Sequence, residues 1–231
     1  MDAWIEFAKG PLFALTFLFM LLGLARHVLL QLRLLATKGR TLRRVRWRRV
    51  LLDTLSWALP YDHMIRGTLL LTLASIVFHA GVVVVTLFLG DHVALWQRFL
   101  GIRLQAVGEG FADALTIATI VSLLVLLFYR MVIPRSRELS RPSDYALLVL
   151  VLAPFLTGFL ASHPAWSPIP WKTMFFLHIL SAEALFVAVP FSKLSHMVLF
   201  PFDRLSQVHW QLKPGAGDRI AAALYGDEAR V

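Results

Sequence analysis

The chain has 231 residues, of which 58% are hydrophobic and 16% are charged, and its mean hydropathy is +0.69. A soluble domain is usually about 45–50% apolar and about 25% charged, so this composition indicates an integral membrane protein. The absence of cysteine excludes disulfides, iron–sulfur clusters, thiolate-bound zinc and covalently attached c-type haem.

Five apolar stretches are each long enough, or nearly so, for the roughly 20 residues of a membrane-spanning helix. They lie at about residues 11–32, 67–90, 112–133, 145–162 and 173–200. The first and third connections and the tail are rich in Lys and Arg, whereas the second connection has two such residues and the fourth has one. The formal charge of +9 therefore reflects the positive-inside rule and not nucleic-acid binding. The sequence predicts an all-α bundle of five transmembrane helices over residues 1–204, with the N-terminus outside, the C-terminus inside and a cytoplasmic tail over 205–231.

Two histidines stand eighteen residues apart in the last apolar stretch, His178 and His196. In one continuous helix, eighteen residues complete five turns, so both imidazoles would leave the same face about 27 Å apart. That distance is close to the depth of the hydrocarbon core, where an ionisable side chain usually has a function. The spacing favours two haems stacked across the membrane.

The second apolar stretch offers two further histidines, His79 and His92, thirteen residues apart. Thirteen residues turn an ideal helix by about 220°, so the two do not share a face of an ideal helix. They could ligate haems that lie at different azimuths, or the helix could end or bulge near Gly90. The second span runs outward and the fifth runs inward, which matches His92 with His178 and His79 with His196 in depth. The sequence therefore predicts two bis-imidazole b-type haems, one toward each membrane face, with iron ligands His79, His92, His178 and His196.

The remaining histidines have weaker grounds for binding haem iron. His63, at the cytoplasmic entry to the second span, is the substitute for His79, which looks closer to mid-membrane than to the inner face. His27 suits an interfacial or propionate-pairing role. His163 lies in an outer loop, where it could contact a quinone head group or face water, and His209 in the tail is expected at the surface.

Haem propionates require positively charged or hydrogen-bonding partners at the membrane edges. Six residues are suitably placed, and ordinary snorkelling is the alternative for each of them. They are Arg66, Arg98, Arg103, Arg130, Lys172 and Lys193, of which Arg66 and Lys193 are assigned to cofactor binding. Glu183 is an ionisable group inside the fifth span, where a functional role and a structural protonated carboxyl are both open.

The segment LHILSAEALFVAVPFSKLSHMVLFPFDRL resembles the last helix of the respiratory nitrate reductase gamma subunit. The shared features are the eighteen-residue histidine step and the run Pro190 to Leu194 before His196. FHAG around His79 resembles that subunit's second helix. In the second helix of the gamma subunit, a second histidine follows the first after ten residues. In this chain Leu89 occupies that position, and His92 comes later. This pattern resembles the broader nitrate-reductase-gamma-like group, which includes cytochrome b subunits of sulfur-metabolism, heterodisulfide-reductase-like and hydrogenase-linked complexes.

The resemblance implies a membrane-anchor subunit of a respiratory complex in a bacterial or archaeal cytoplasmic membrane. Such a subunit transfers electrons between the quinone pool and an iron–sulfur or catalytic partner subunit. Polar groups for the quinone near the outer haem are Asp91, Arg98, Glu109, His163 and Lys172. One alternative is a non-redox transporter or anchor, although no inverted repeat is apparent. Another is direct reduction of ferric iron or a small molecule at the outer haem.

Overall fold

The structure, a computed structural model, describes residues 1–37 and 69–202 together with positions 48, 51, 52, 219, 222, 223 and 226. Helices are the only regular elements in this part of the chain. Five helical stretches are long and apolar enough to cross a membrane, which confirms the all-α, five-span prediction. They are Asp2–Leu34, Leu69–Phe88, Glu109–Val132, Pro142–Ser162 and Trp171–Phe191.

The first span begins earlier than predicted and contains a π-helical turn. Helix α1 (Asp2–Phe7) continues through the turn Ala8–Leu12 into α2 (Phe13–Thr37). Pro11 lies inside the turn and has no N–H to donate, so regular i to i−4 bonding cannot continue through it. The Lys172 ammonium lies 2.7 Å from Oδ1 of Asp2 and ties the start of α1 to the start of the last span.

The second predicted span divides into two helices at Leu89. Helix α3 (Leu69–Phe88) ends there because Leu89 has an extended backbone, with φ −64° and ψ 138°. Helix α4 (Gly90–Leu100) follows directly and is capped by Gly101, whose φ of +70° suits a residue without a side chain. Helix α3 therefore ends next to Gly90, which was one of the alternatives that the sequence left open.

Prolines and a capping carboxylate mark the helix starts between the third and fourth spans. Helix α5 (Glu109–Val132) is followed by the short α6 (Pro134–Leu139) and by α7 (Pro142–Ser162). Both α6 and α7 begin with proline, whose fixed φ suits the first helical position. The carboxylate of Asp144 accepts a 3.0 Å hydrogen bond from the Arg141 N–H, which caps the start of α7.

The last span is shorter than predicted, and the expectation of one helix over 173–200 is wrong. Helix α8 (Trp171–Ala188) passes into a 3₁₀ turn at Val189–Phe191, and Ser192 is then fully extended. Pro190 cannot donate to the preceding turn, and the Ser192 hydroxyl accepts a 3.2 Å bond from the Leu194 N–H to start a second 3₁₀ turn. His178 and His196 therefore do not belong to one continuous helix, and the shared-face argument from their spacing fails.

The described residues fall into two compact units, one formed by 1–19 and 69–187 and the other containing 20–37 and 188–202. In the first unit, α3 and α5 approach closely at Gly81, where an added Cβ would lie 2.9 Å from the Cβ of Thr119. Thr119 is fully buried, and its hydroxyl donates a 2.7 Å hydrogen bond to the Leu115 carbonyl. The two helices can approach this closely because glycine at position 81 has no side chain.

Aromatic rings join the N-terminal helix to α4 and α8 within the first unit. Phe13 contacts Phe99 with ring centroids 4.7 Å apart and Phe186 at 5.7 Å, and Phe17 contacts Trp96 at 5.6 Å. Aromatic pairs of this kind add about 0.5–1.5 kcal/mol each to ordinary burial. The cluster holds α4 against the spans on either side of it.

Candidate functional site

The structure brings His92 and His178 close together. Their ring centroids are 6.1 Å apart and their planes differ by only 12°. Both side chains are half-buried. We call them the first histidine pair.

The direction of His92 follows from the break at Leu89. The last four carbonyls of a helix lack intrahelical donors, and α3 ends inside the apolar region. The His92 Nδ1–H donates to the Val85 carbonyl at 2.9 Å, and the Trp96 indole N–H donates to the Thr86 carbonyl at 3.0 Å. Because His92 and Trp96 are one turn apart on α4, the two bonds fix the orientation of that helix against the end of α3.

His178 is held by α7. Its Nδ1–H donates to the Pro154 carbonyl at 2.9 Å. The ring lies directly against Gly158, where an added Cβ would be 2.8 Å from Cε1 and 2.9 Å from Nδ1 of the imidazole. Only glycine at 158 leaves room for the ring in this position.

The nitrogen donors and the ring spacing of the first histidine pair are those that would hold a haem iron between two imidazoles. Each Nδ1 is used for a backbone carbonyl, so Nε2 is the nitrogen that would bind the metal, the usual arrangement in metal-bound histidine. With each nitrogen about 2 Å from a metal, and each ring centre roughly 1 Å further, the centroids would be about 6 Å apart. The observed 6.1 Å and near-parallel planes therefore fit a bis-imidazole haem.

The other two predicted ligands belong to different units, so their pairing stays a prediction. His79 lies on α3 in the first unit and donates from Nδ1 to the Ser75 carbonyl at 2.7 Å. His196 lies in the second unit and donates from Nδ1 to the Lys193 carbonyl at 2.7 Å. Both rings thus use the same nitrogen as the first histidine pair for backbone bonding.

His27 differs from these four histidines. Its Nε2, and not Nδ1, bonds to the Pro190 carbonyl at 2.8 Å within the second unit. Gly23, one turn earlier, also meets Pro190, since an added Cβ would lie 2.5 Å from its ring. His27 therefore fixes α2 against the break that follows α8, a contact that sequence reasoning did not foresee.

Some predicted residues are exposed or lie outside the described part of the chain. Lys193 is exposed on the 3₁₀ turn before His196. Arg66, His63 and His209 lie outside the described residues, as does most of the predicted 205–231 tail. The propionate roles of Arg66 and Lys193 stay predictions.

A second polar contact occurs where α5 begins and α7 ends. Nε2 of His163 lies 3.4 Å from Oδ2 of Asp113, and Nδ1 donates to the Phe159 carbonyl at 2.9 Å. Sequence reasoning singled out His163 but missed Asp113 as its partner. No sequence signal points to Asp113, which lies one turn after the start of α5, because its contact with His163 depends on how two helices meet.

Glu183 is buried with 3% of its surface exposed, and neither carboxyl oxygen has a hydrogen-bond partner among the described residues. It follows Ile179 by one turn on α8, the face that packs against Ile5 and Ala8 of the first span. A buried carboxyl without a partner costs free energy, so this residue is an exception that requires an explanation.

The fold and the first histidine pair define a class: a multi-pass, all-helical membrane protein with paired imidazoles suited to haem. The nitrate reductase gamma subunit family matches residues 41–169, more than half of the chain. The chain belongs to that family, whose members are haem-binding, cytochrome b-type electron-transfer subunits of membrane complexes. The match includes His79 and His92 and ends before His178.

A protein of Nitratidesulfovibrio vulgaris (strain Hildenborough) is 34% identical over 153 residues. The aligned region covers 66% of this chain and 66% of that relative. No solved structure matches the chain.

Proposed function

We propose that this chain is a dihaem cytochrome b subunit that carries electrons between the quinone pool and a partner subunit. The observation that carries the proposal is the first histidine pair, with parallel rings 6.1 Å apart and each Nδ1 anchored to a backbone carbonyl. An iron held by two imidazoles supplies reversible one-electron transfer when bound. His92 and His178 hold that iron, while Val85 and Pro154 fix the two ring directions.

A second haem is assigned to His79 and His196. Each ring uses Nδ1 for a carbonyl on its own segment, which favours Nε2 as the ligating atom. Lys193 lies three residues before His196 and Arg66 lies at the entry to the second span, so both are assigned to propionate binding. His63 is kept as the substitute ligand for His79.

The excess of Lys and Arg in the first and third connections supports an orientation in a bacterial or archaeal cytoplasmic membrane with the first histidine pair toward the outside and His196 toward the inside. A quinone exchanges electrons beside one haem, and an iron–sulfur or catalytic subunit exchanges them at a membrane face. The polar composition of residues 205–231 suits contact with such a subunit. The chain then acts as the electron-transfer subunit of a quinone-linked oxidoreductase complex.

Optical spectroscopy of the purified protein tests the proposal. A dithionite-reduced minus oxidised spectrum should show a b-type α-band, and a pyridine haemochrome assay should count two haems per chain. A short-chain quinol should reduce at least one of them. A preparation that folds as a helical membrane protein but contains no haem contradicts the proposal and favours the non-redox transporter or anchor.

A further inference from the structure

The segment that follows α8 lacks the regular hydrogen bonds of a helix. In a helix that continued through position 190, the Leu194 N–H would donate to the Pro190 carbonyl four residues earlier. Ser192 is extended instead, with φ −126° and ψ 177°, and the Leu194 N–H donates to the Ser192 hydroxyl at 3.2 Å. Pro190 is buried, so its carbonyl requires a donor from another part of the chain.

His27 on α2 supplies that donor. Its Nε2 lies 2.8 Å from the Pro190 carbonyl oxygen, and because a carbonyl only accepts, the ring carries a proton on Nε2. Gly23 lies one turn earlier on the same face of α2, and a Cβ there would be 2.5 Å from the Cβ of Pro190. Two points of contact thus hold Pro190 against α2, and both lie within the second unit.

Short hydrogen bonds connect Pro190 and its neighbours to His196. The Ser195 hydroxyl donates to the Ser192 carbonyl at 2.9 Å, and the His196 Nδ1–H donates to the Lys193 carbonyl at 2.7 Å. Each of these bonds joins residues three apart, so the path from Ser192 to His196 is a series of closed turns whose shape is set locally. The position of the His196 ring relative to α2 therefore depends on where Pro190 is held.

We propose that His27 is a positioning residue for His196 and fixes the place of that imidazole at the second haem. This inference rests on the proposed function, which assigns His196 as an iron ligand. His27 acts through the Pro190 carbonyl and not by direct contact with the haem. Replacing a group that orients a metal ligand typically changes the affinity for the metal by about 10–100-fold. Because His27 acts through the backbone of the ligand's own segment, we expect an effect at the lower end of that range.

Three substitutions of His27 separate its hydrogen bond from its bulk. His27→Gln keeps a nitrogen donor near the position of Nε2, His27→Leu removes the donor, and His27→Asn carries an amide too short to reach the Pro190 carbonyl. Gly23→Ala displaces Pro190 without a change at His27, and Gly110→Ala is its control because an added Cβ there meets nothing within 4 Å. His196→Ala identifies the spectral component that belongs to the second haem.

The test follows the transfer of haem from each purified protein to apomyoglobin, together with a redox titration of each spectral component and a thermal unfolding curve. We expect His27→Leu, His27→Asn and Gly23→Ala to release the second haem about tenfold faster and to shift its midpoint potential. The first haem should keep its release rate and its potential in all of them. His27→Gln and Gly110→Ala should behave as the wild-type protein does.

An unchanged release rate and potential of the second haem in His27→Leu overturn the proposal. An equal change at both haems also overturns it, because a general loss of packing would have that effect. The same loss in His27→Gln as in His27→Leu overturns the role of the hydrogen bond. A wild-type protein without haem, or a His196→Ala variant that retains both spectral components, contradicts the proposed function itself.

Discussion

Gly158→Ala is expected to displace the His178 imidazole and to remove one haem. The new Cβ would lie 2.8 Å from Cε1, whereas ordinary contact begins at 3.4 Å, so the ring has to move by about 0.6 Å. Such a movement stretches the 2.9 Å bond from Nδ1 to the Pro154 carbonyl toward the limit of hydrogen bonding. Overpacking costs about 1–3 kcal/mol and the lost bond about 0.5–1.5 kcal/mol, against a gain of about 1 kcal/mol in helix propensity. The net destabilisation is about 0.5–3.5 kcal/mol.

The assay is the pyridine haemochrome count, combined with a thermal unfolding curve of the purified protein. Gly110→Ala is the matched control, since Gly110 is also in a helix and an added Cβ there meets nothing within 4 Å. Gly158→Ala should contain close to one haem per chain, and Gly110→Ala should contain two. A Gly158→Ala variant with two haems, an unchanged spectrum and the stability of the control would refute the argument that glycine makes room for the ring.

Three further substitutions test the packing around the site. Glu183→Leu should keep the thermal midpoint unchanged or raise it, with a gain of up to about 1–3 kcal/mol in unfolding free energy. The reason is that the buried carboxyl has no partner among the described residues. A large loss of stability would show that it has one. Trp96→Phe should lower the unfolding free energy by about 1–3 kcal/mol and lower the haem count. The Thr86 carbonyl loses its donor, so α4 is held less firmly against the end of α3. Unchanged values would contradict the role of that bond. Gly81→Leu should prevent recovery of folded protein from membranes, because its side chain collides with Thr119; normal yield would show that α3 and α5 do not meet there.

The five spans could be predicted from the sequence because lipid allows few alternatives. A helix satisfies every backbone group internally, so a long apolar run in a membrane has essentially one conformation. The break near Gly90 was only one of two alternatives left open by the thirteen-residue spacing of His79 and His92, and the structure shows that α3 ends there. The structure places the ring centroids of His92 and His178 6.1 Å apart, and their pairing as ligands stays a prediction.

The fifth span shows where reasoning from periodicity fails. Eighteen residues bring two side chains to one face only in an unbroken helix, and Pro190 interrupts this one. The proline was visible in the sequence as part of the run before His196, and its missing N–H is the signal for the break. The Val85 and Pro154 carbonyls, the space at Gly158 and the contact of Asp113 with His163 depend on how separate helices approach each other, which no local pattern encodes.

Haem counts of single and double histidine variants test the central claim that His92 and His178 hold one iron between them. The variants are His92→Ala, His178→Ala and the double substitution, each compared by haemochrome assay and low-temperature reduced spectrum. Each single variant should lose the same α-band component and retain one haem, and the double variant should lose no more than either single one. Loss of different components in the two single variants, or of both haems only in the double variant, would contradict the shared site.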